Sequence, residues 1–264
     1  GQLDPGEDKP MQFDFLVGTS GPGGVPAVLS GNNFIGSQIT ANFSSGQVLS
    51  GTMQAVAGNP TASQFVASAT GSGAGTGPGV ELRVSQTAVL TNPTFVGNTI
   101  QYSGGAGFTA TATDDGRING LLIRDNTIQN NGSAANNGGI SLNTVAATSA
   151  QINGSILSNT VSNNIGPGIS MTANTGTINV SEIDSNTLDG NTTGVALSTL
   201  NSGTIATRIT SNTMSNSTGD AFTATADSGV ITLNQFSDNT LNNAGGNGIL
   251  LTALNSGTDR KSTR

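Results

Sequence analysis

Ser158-Asn159-Thr160-Val161 is one of six copies of a four-residue phrase that recurs along the chain. The other copies are Gly97-Asn98-Thr99-Ile100, Asp125-Asn126-Thr127-Ile128, Ser185-Asn186-Thr187-Leu188, Ser211-Asn212-Thr213-Met214 and Asp238-Asn239-Thr240-Leu241. Successive asparagines are 28, 33, 27, 26 and 27 residues apart. A period in the twenties is typical of a solenoid, in which one repeat cannot bury its apolar face without its neighbours.

Each repeat contains three apolar segments. Two flank the asparagine, as Ile156 and Val161 flank Asn159. A middle segment alternates apolar and polar residues as a half-buried strand does; its copies are Phe108-Thr-Ala110, Ile140-Ser-Leu142, Ile169-Ser-Met171, Val195-Ala-Leu197, Phe222-Thr-Ala224 and Ile249-Leu-Leu251. The pattern predicts an all-β, single-stranded parallel β-helix with three short strands per coil.

The repeated asparagine is expected to stack at one turn of every coil. Each side-chain amide would bond the backbone of its own coil and the amide of the next, because an unpaired buried amide costs ~1–3 kcal/mol. The predicted structural ladder consists of Asn98, Asn126, Asn159, Asn186, Asn212 and Asn239.

The repeats also predict the organisation of the chain. Residues 1–30 are interpreted as a lead-in or N-terminal cap, and residues 31–256 as the β-helix, with clear repeats from about residue 95. Asn59 follows Asn32 by 27 residues and suggests two weaker coils, giving seven to eight in all. Gly71–Gly79 and Gly132–Gly138 are predicted to be inserted loops.

Residues 257–264 are interpreted as a truncated last coil or tail, because a charged run replaces the expected third strand after Thr258. Either these charges cap an open end, or the chain is a piece of a longer array. We favour the second interpretation and expect end-to-end continuation with further repeats.

Composition excludes several classes of protein. Only 9% of residues are charged, the net charge is −7, and Cys, His and Trp are absent. Nucleic-acid binding needs clustered Lys and Arg, so we expect none. No apolar run is long enough for a membrane span. The absence of Cys is compatible with a bacterial secreted or cell-surface protein, where we place the chain.

The phrase Asn159-Thr160-Val161, followed by Gly168-Ile169-Ser170-Met171, resembles the parallel β-helix repeat of the pectate-lyase-like superfamily. The resemblance covers about residues 95–256. With the usual rule for parallel crossovers, it implies a right-handed helix. Lyases, hydrolases, epimerases, phage tail spikes and bacterial surface proteins share this fold, so the resemblance does not imply one activity.

An active lyase of this fold would need carboxylates to hold Ca²⁺ and an Arg or Lys as base. The catalytic candidates are Asp114, Asp115, Arg117, Arg124 and Asp125. Asp114-Asp115-Gly116 also fits an ordinary acidic turn, and Asp125 occupies a turn position of the repeat. No other cofactor or metal is predicted.

A second candidate is a binding site formed by Glu182, Asp184 and Arg208. Glu182 and Arg208 both lie four residues before a ladder asparagine, so we expect them to be neighbours on adjacent coils. The three groups could bind a sugar hydroxyl or a cation. An exposed ion pair worth under ~1 kcal/mol is the simpler interpretation.

The middle strands predict two outward rows rich in hydroxyl groups. The rows are Thr109, Ser141, Ser170, Ala196, Thr223 and Leu250, beside Thr111, Asn143, Thr172, Ser198, Thr225 and Thr252. Such rows resemble ice-binding faces, although Asn143, Ala196 and Leu250 interrupt them. A plain solvated sheet is the alternative interpretation.

These observations favour a non-enzymatic structural or adhesive module with weak carbohydrate contact. The expected partners are polysaccharides or other cell-surface components. A polysaccharide lyase or epimerase is the first alternative, and an ice-binding protein is the second.

Overall fold

In the computed structural model of the protein, side chains are described for residues 78, 80–84, 89–90, 92–101, 103–132, 138–145 and 149–255. Strand backbone is described in addition for residues 13–14, 28–30, 33–34, 39–43, 48–50, 54–56, 66–68, 91 and 258–261.

The described chain contains strands and no helix. The strands before the first clear repeat are β1(Phe13–Asp14), β2(Val28–Ser30), β3(Asn33–Phe34), β4(Ile39–Phe43), β5(Val48–Ser50), β6(Gln54–Val56), β7(Val66–Ser68), β8(Val80–Val84), β9(Val89–Thr91) and β10(Thr94–Val96). The strands of the repeats are β11(Thr99–Gln101), β12(Phe108–Thr113), β13(Arg117–Arg124), β14(Thr127–Gln129), β15(Ile140–Val145), β16(Gln151–Leu157), β17(Thr160–Ser162), β18(Ile169–Ala173), β19(Thr177–Asp184), β20(Thr187–Asp189), β21(Val195–Thr199), β22(Thr204–Thr210), β23(Thr213–Ser215), β24(Phe222–Asp227), β25(Val230–Ser237), β26(Thr240–Asn242), β27(Ile249–Leu254) and β28(Thr258–Lys261).

Apart from β2 and β6, which pair with each other, these strands form three long parallel sheets. Sheet I has the order β1-β4-β8-β12-β15-β18-β21-β24-β27, sheet II has the order β5-β9-β13-β16-β19-β22-β25-β28 with β10 also on β13, and sheet III has the order β3-β7-β11-β14-β17-β20-β23-β26. Each coil passes through sheet III, then sheet I, then sheet II. The predicted all-β parallel solenoid with three strands per coil is confirmed.

The solenoid has about six turns. From Thr99 to Lys261, six successive coils each place one strand in all three sheets. The described residues thus form about six complete turns, fewer than the seven to eight coils that the sequence predicted. Asn32 and Asn59, on which the two weaker coils were predicted, lie outside the described residues.

The last described strand corrects another expectation. β28 runs parallel to β25, with Thr258 opposite Val230 and Lys261 opposite Leu233. We predicted no third strand there because the residues are charged. Ladder hydrogen bonds join backbone groups, so a segment with charged side chains can still pair.

The core is a stack of apolar columns enclosed by the three sheets. The inward residues of the middle strands are buried from Val80 to Phe222, as their alternation predicted. Phe108 and Phe222 are each followed by Ala two residues on, and each ring packs on a second ring. The centroid distances are 4.8 Å to Phe95 and 5.0 Å to Phe236, so these aromatic pairs fill the coil where Ala leaves space.

Sheet II is less regular than the other two. Its inward residues span six positions in β13 and β19 (Ile118–Ile123 and Ile178–Ile183) but five in β16 and β22 (Ile152–Ile156 and Ile205–Ile209). The register shifts at each junction from β13 to β25. A bulge accommodates the extra residue and keeps both ends of the strand facing the core.

Candidate functional surfaces

The predicted asparagine ladder lies at the corner between sheets II and III. At each step the backbone N–H and Nδ2 of one asparagine donate to Oδ1 of the asparagine one coil further along. For Asn159 and Asn186 both distances are 2.9 Å. The first five asparagines are at most 2% exposed. The residue before each ladder asparagine has a positive φ, which turns the corner and aims the amide along the axis.

A second ladder lies five residues further along each coil. Asn131 donates from its backbone N–H and Nδ2 to Oδ1 of Asn164, and Asn164 donates in the same way to Asn191. Ser103 and Ser217 occupy the equivalent positions on either side. We did not predict this ladder, because the second asparagine recurs in only three of the six repeats. Its constant distance of five residues from the first asparagine was the signal that could have revealed it.

The first group of catalytic candidates lies at the turn between sheets I and II. Asp114 and Asp115 are exposed, and Asp114 has a φ of 55°. Asp115 accepts a hydrogen bond from the Ser149 hydroxyl of the next coil. Arg117 is exposed at the first position of β13. These residues form a solvated turn.

Arg124 and Asp125 lie at the other end of β13. Their Nε and Oδ2 atoms form an ion pair of 3.1 Å, with side chains 47% and 54% exposed. Arg124 lies seven residues after Arg117 along β13, which is about 23 Å at the rise of a β-strand. The structure therefore does not bring the five catalytic candidates into one site. Among the described residues, no group of three Asp or Glu side chains could hold a metal ion.

The second candidate site is divided by a bulge in β19. Val180 pairs with Thr207 and Ile183 with Ile209, so Ser181 and Glu182 together lie opposite the single residue Arg208. Arg208 Nε donates instead to Oε1 of Gln235 on the following coil, at 3.2 Å. Within the described chain, Glu182 and Arg208 form no ion pair.

The carboxylate of Asp184 accepts hydrogen bonds from two hydroxyl groups. The Thr210 hydroxyl donates to its Oδ1 at 2.5 Å, and the Ser185 hydroxyl donates to Oδ2 at 2.7 Å. The bond from Thr210 is the main reason that the pKa of Asp184 lies below its ordinary value. Hydroxyls of Ser185 and Ser211 and the charge of Arg208 lower this pKa further, while burial opposes them. The bond from Thr210 connects neighbouring coils, whereas Ser185 belongs to the same coil as Asp184.

The outward face of sheet I carries the two rows that the sequence predicts. Pairing from β12 to β27 places their members opposite one another without a register shift. At the β8 end, Glu81 and Arg83 extend the rows. Arg83 Nε donates to Glu81 Oε1 at 2.5 Å, and the Glu81 side chain is only 7% exposed. This partly buried pair was not among the predicted candidates, although the alternation of Val80–Val84 placed both side chains outward.

The outward face of sheet III was not predicted from the sequence. The Thr of every repeated phrase points outward from sheet III, and the six threonines stand in register. We call Thr99, Thr127, Thr160, Thr187, Thr213 and Thr240 the threonine row. Two residues further along lies a polar row of Gln101, Gln129, Ser162, Asp189, Ser215 and Asn242.

Comparison with known proteins assigns no function to this chain, so a function has to be inferred from these surfaces. The chain matches no protein-family model, and no curated protein is significantly similar to it. The described residues also contain no helix long and apolar enough to cross a bilayer.

Proposed function

We propose that this chain is a non-enzymatic structural or adhesive module of a bacterial secreted or cell-surface protein. The observation that carries the proposal is the pair of buried asparagine ladders, which tie consecutive coils together along one axis. A stiff shaft of this kind holds its outward side chains at a constant repeat. Weak contacts to a polymer can then add up through multivalency.

The uncharged surface suggests carbohydrate as the polymer. Hydroxyl and amide side chains dominate the outward rows of sheets I and III. Such groups hydrogen-bond neutral sugars without a charged partner. The resemblance to the pectate-lyase-like superfamily supports a carbohydrate-related role by analogy alone, because the fold is shared by many activities.

The lyase or epimerase alternative has less support. A carboxylate and a base must reach the same bond, whereas Asp115 and Arg124 lie at opposite ends of β13. Ca²⁺-dependent catalysis would need further carboxylates close to Asp114 and Asp115. The described side-chain partners on this turn include the hydroxyl groups of Thr113 and Ser149.

A panel of acidic and neutral polysaccharides, with and without Ca²⁺, tests the proposal. Retention of the chain would be measured together with the release of new chain ends. We expect weak binding without cleavage, unchanged in the Asp115→Asn and Arg124→Ala variants. Cleavage that is lost in either variant would contradict the proposal and establish the enzyme. Silence in both measurements would remove carbohydrate from the proposal and leave the scaffold.

A further inference from the structure

The threonine row is the most uniform surface of the described molecule. Its six members occupy the first position of β11, β14, β17, β20, β23 and β26, and no register shift interrupts the pairing of these strands. Neighbouring strands in a sheet are ~4.8 Å apart. Identical side chains therefore recur at this spacing over six coils, whereas Ala196 and Leu250 interrupt the corresponding row on sheet I.

The hydroxyl groups of the threonine row have no internal partner. No described residue forms a hydrogen bond with any of the six. On sheet II the equivalent groups pair across coils, as Thr177 with Thr204 at 3.0 Å and Ser155 with Ser181 at 2.8 Å. Threonine is stiff at χ1 because it is branched at Cβ. The row thus presents ordered, unused donors and acceptors beside methyl groups.

The charge on this face restricts the kind of partner. The threonine row and the polar row contain one ionisable side chain, Asp189, and no cation. Oδ1 of Asp189 already accepts hydrogen bonds from Ser215 Oγ at 2.8 Å and Asn216 Nδ2 at 2.7 Å. A neutral hydrogen-bonding surface complements such a face, whereas a polyanion finds no cation on it and a polycation finds only the carboxylate of Asp189.

We propose that the outward face of sheet III binds ice. One hydroxyl contact with water contributes little, and a small molecule would span only one or two coils. A crystal face of ice is neutral, hydrogen-bonds everywhere, and repeats rows of oxygens at a spacing close to that of β-strands. Contacts then add over all six coils, as multivalent contacts do when the geometry matches. This activity goes beyond the proposed scaffold role and does not depend on it.

The test is inhibition of ice recrystallisation by the full chain, with crystal shaping viewed in parallel. Thr160→Tyr places a bulky ring in the middle of the row, at a position that is exposed and outward. Asn179→Tyr is the matched control, since Asn179 is exposed and outward on sheet II of the same coil. We expect wild type and Asn179→Tyr to inhibit, and Thr160→Tyr to need at least about tenfold more protein.

Further variants distinguish the faces and exclude unfolding. Thr172→Tyr disturbs the hydroxyl rows of sheet I and should leave inhibition unchanged, with circular dichroism confirming the fold of every variant. A wild-type chain that neither inhibits nor shapes ice overturns the inference. Loss of activity in Thr172→Tyr with activity kept in Thr160→Tyr also overturns it. Neither result would affect the polysaccharide experiment.

Discussion

Each coil depends on a few residues that have left-handed backbone conformation. Asp125, Ser158, Ser185, Ser211 and Asp238 have φ values of 53° to 58°, and each precedes a ladder asparagine. Short polar residues adopt this conformation more readily than bulky ones do. The side-chain amide of the asparagine then donates to backbone carbonyl groups at the corner. Asn186 Nδ2, for example, donates to the carbonyl oxygens of Ile156 and Asp184.

Removing one ladder amide should be costly. Asn186→Ala leaves the backbone N–H of Asn159 without its acceptor and the Ile156 carbonyl without this donor. Nδ2 of Asn159 loses one acceptor but keeps the carbonyl oxygens of Ile123 and Leu157. Each unsatisfied buried group costs ~1–3 kcal/mol. We expect the free energy of unfolding in urea to fall by more than about 2 kcal/mol.

The control for this substitution is Asn179→Ala. Asn179 is exposed, and its side chain has no hydrogen bond to any described residue, so the free energy should change by under about 0.5 kcal/mol. Equal effects of the two substitutions would show that the ladder contributes no more than a surface asparagine.

The pKa of Asp184 predicts a pH dependence of stability. Because this pKa is lower in the folded chain, the unfolded chain binds the proton more tightly. The stabilisation is complete above the ordinary aspartate pKa of about 3.9 and is lost as pH falls through the folded value. We expect wild type to melt at a higher temperature than Asp184→Asn at about pH 7, with the gap closing at about pH 2.

Thr210→Val offers a matched test of the cause. This substitution removes the hydrogen bond that lowers the pKa of Asp184 most, so the pKa should rise. In the Thr210→Val background, Asp184→Asn should therefore lower the melting temperature by less than it does in wild type. A gap between wild type and Asp184→Asn that is constant with pH would contradict the assignment.

At the scale of elements, the bulges of sheet II determine which side chains meet. In β22 the residues Ile205–Ile209 alternate strictly between core and solvent. In β19 the additional residue interrupts this alternation at Ser181 and Glu182, which both lie opposite Arg208. A bulge can hold one more residue without turning the rest of a strand over, whereas a shift of register by one reverses every side chain.

This difference predicts how the two strands tolerate deletions. Deleting Ser181 leaves Ile178, Asn179, Val180, Glu182 and Ile183, which repeat the in-out pattern of β22. We expect a cooperative fold, with the free energy of unfolding lowered by under about 2 kcal/mol. Deleting Ala206 from β22 removes a residue that the core pattern requires, so the chain should lose several times more stability or fail to fold. Urea titration followed by circular dichroism measures both; equal losses would mean that the bulge is no more tolerant.

At the scale of the whole molecule, each coil is stabilised by its neighbours. Ile205 and Ile209 in the middle of the stack are at most 1% exposed, whereas Ile249 in β27 is 48% exposed. Stability in solenoids is approximately a sum over repeats and their interfaces, so local opening should follow this difference.

Hydrogen exchange should therefore reveal a gradient along the axis. We expect amides of β18 to β22 to exchange slowest, and those of β26 and β27 at least about tenfold faster. Mass spectrometry of peptides after timed exchange would measure it. Uniform protection across these strands would mean that the described coils open as a single unit.

The sequence by itself determined the coil. The spacing of the six phrases predicted the solenoid, the alternation in segments such as Ile169–Met171 predicted the buried side chains, and the repeated asparagine predicted the first ladder. These features depend on turn geometry and on the pleat of a strand, which are local and recur in every repeat. The same local reasoning was wrong at Thr258–Lys261, where backbone pairing outweighs the charge of the side chains.

Only the tertiary structure decided which residues of different coils become neighbours. Counting from the asparagines placed Glu182 beside Arg208, and the two residues do lie opposite one another at the bulge. Arg208 nevertheless donates to Gln235 on the following coil, and among the described residues it forms no ion pair with Glu182. The structure also placed Arg117 and Arg124 at opposite ends of β13 and stacked Asn131, Asn164 and Asn191 as a second ladder. It aligned the threonine row on a face whose two rows carry one carboxylate, Asp189. The physical reason is that register between coils is set by the backbone pairing of three adjacent sheets, which one repeat read alone does not contain.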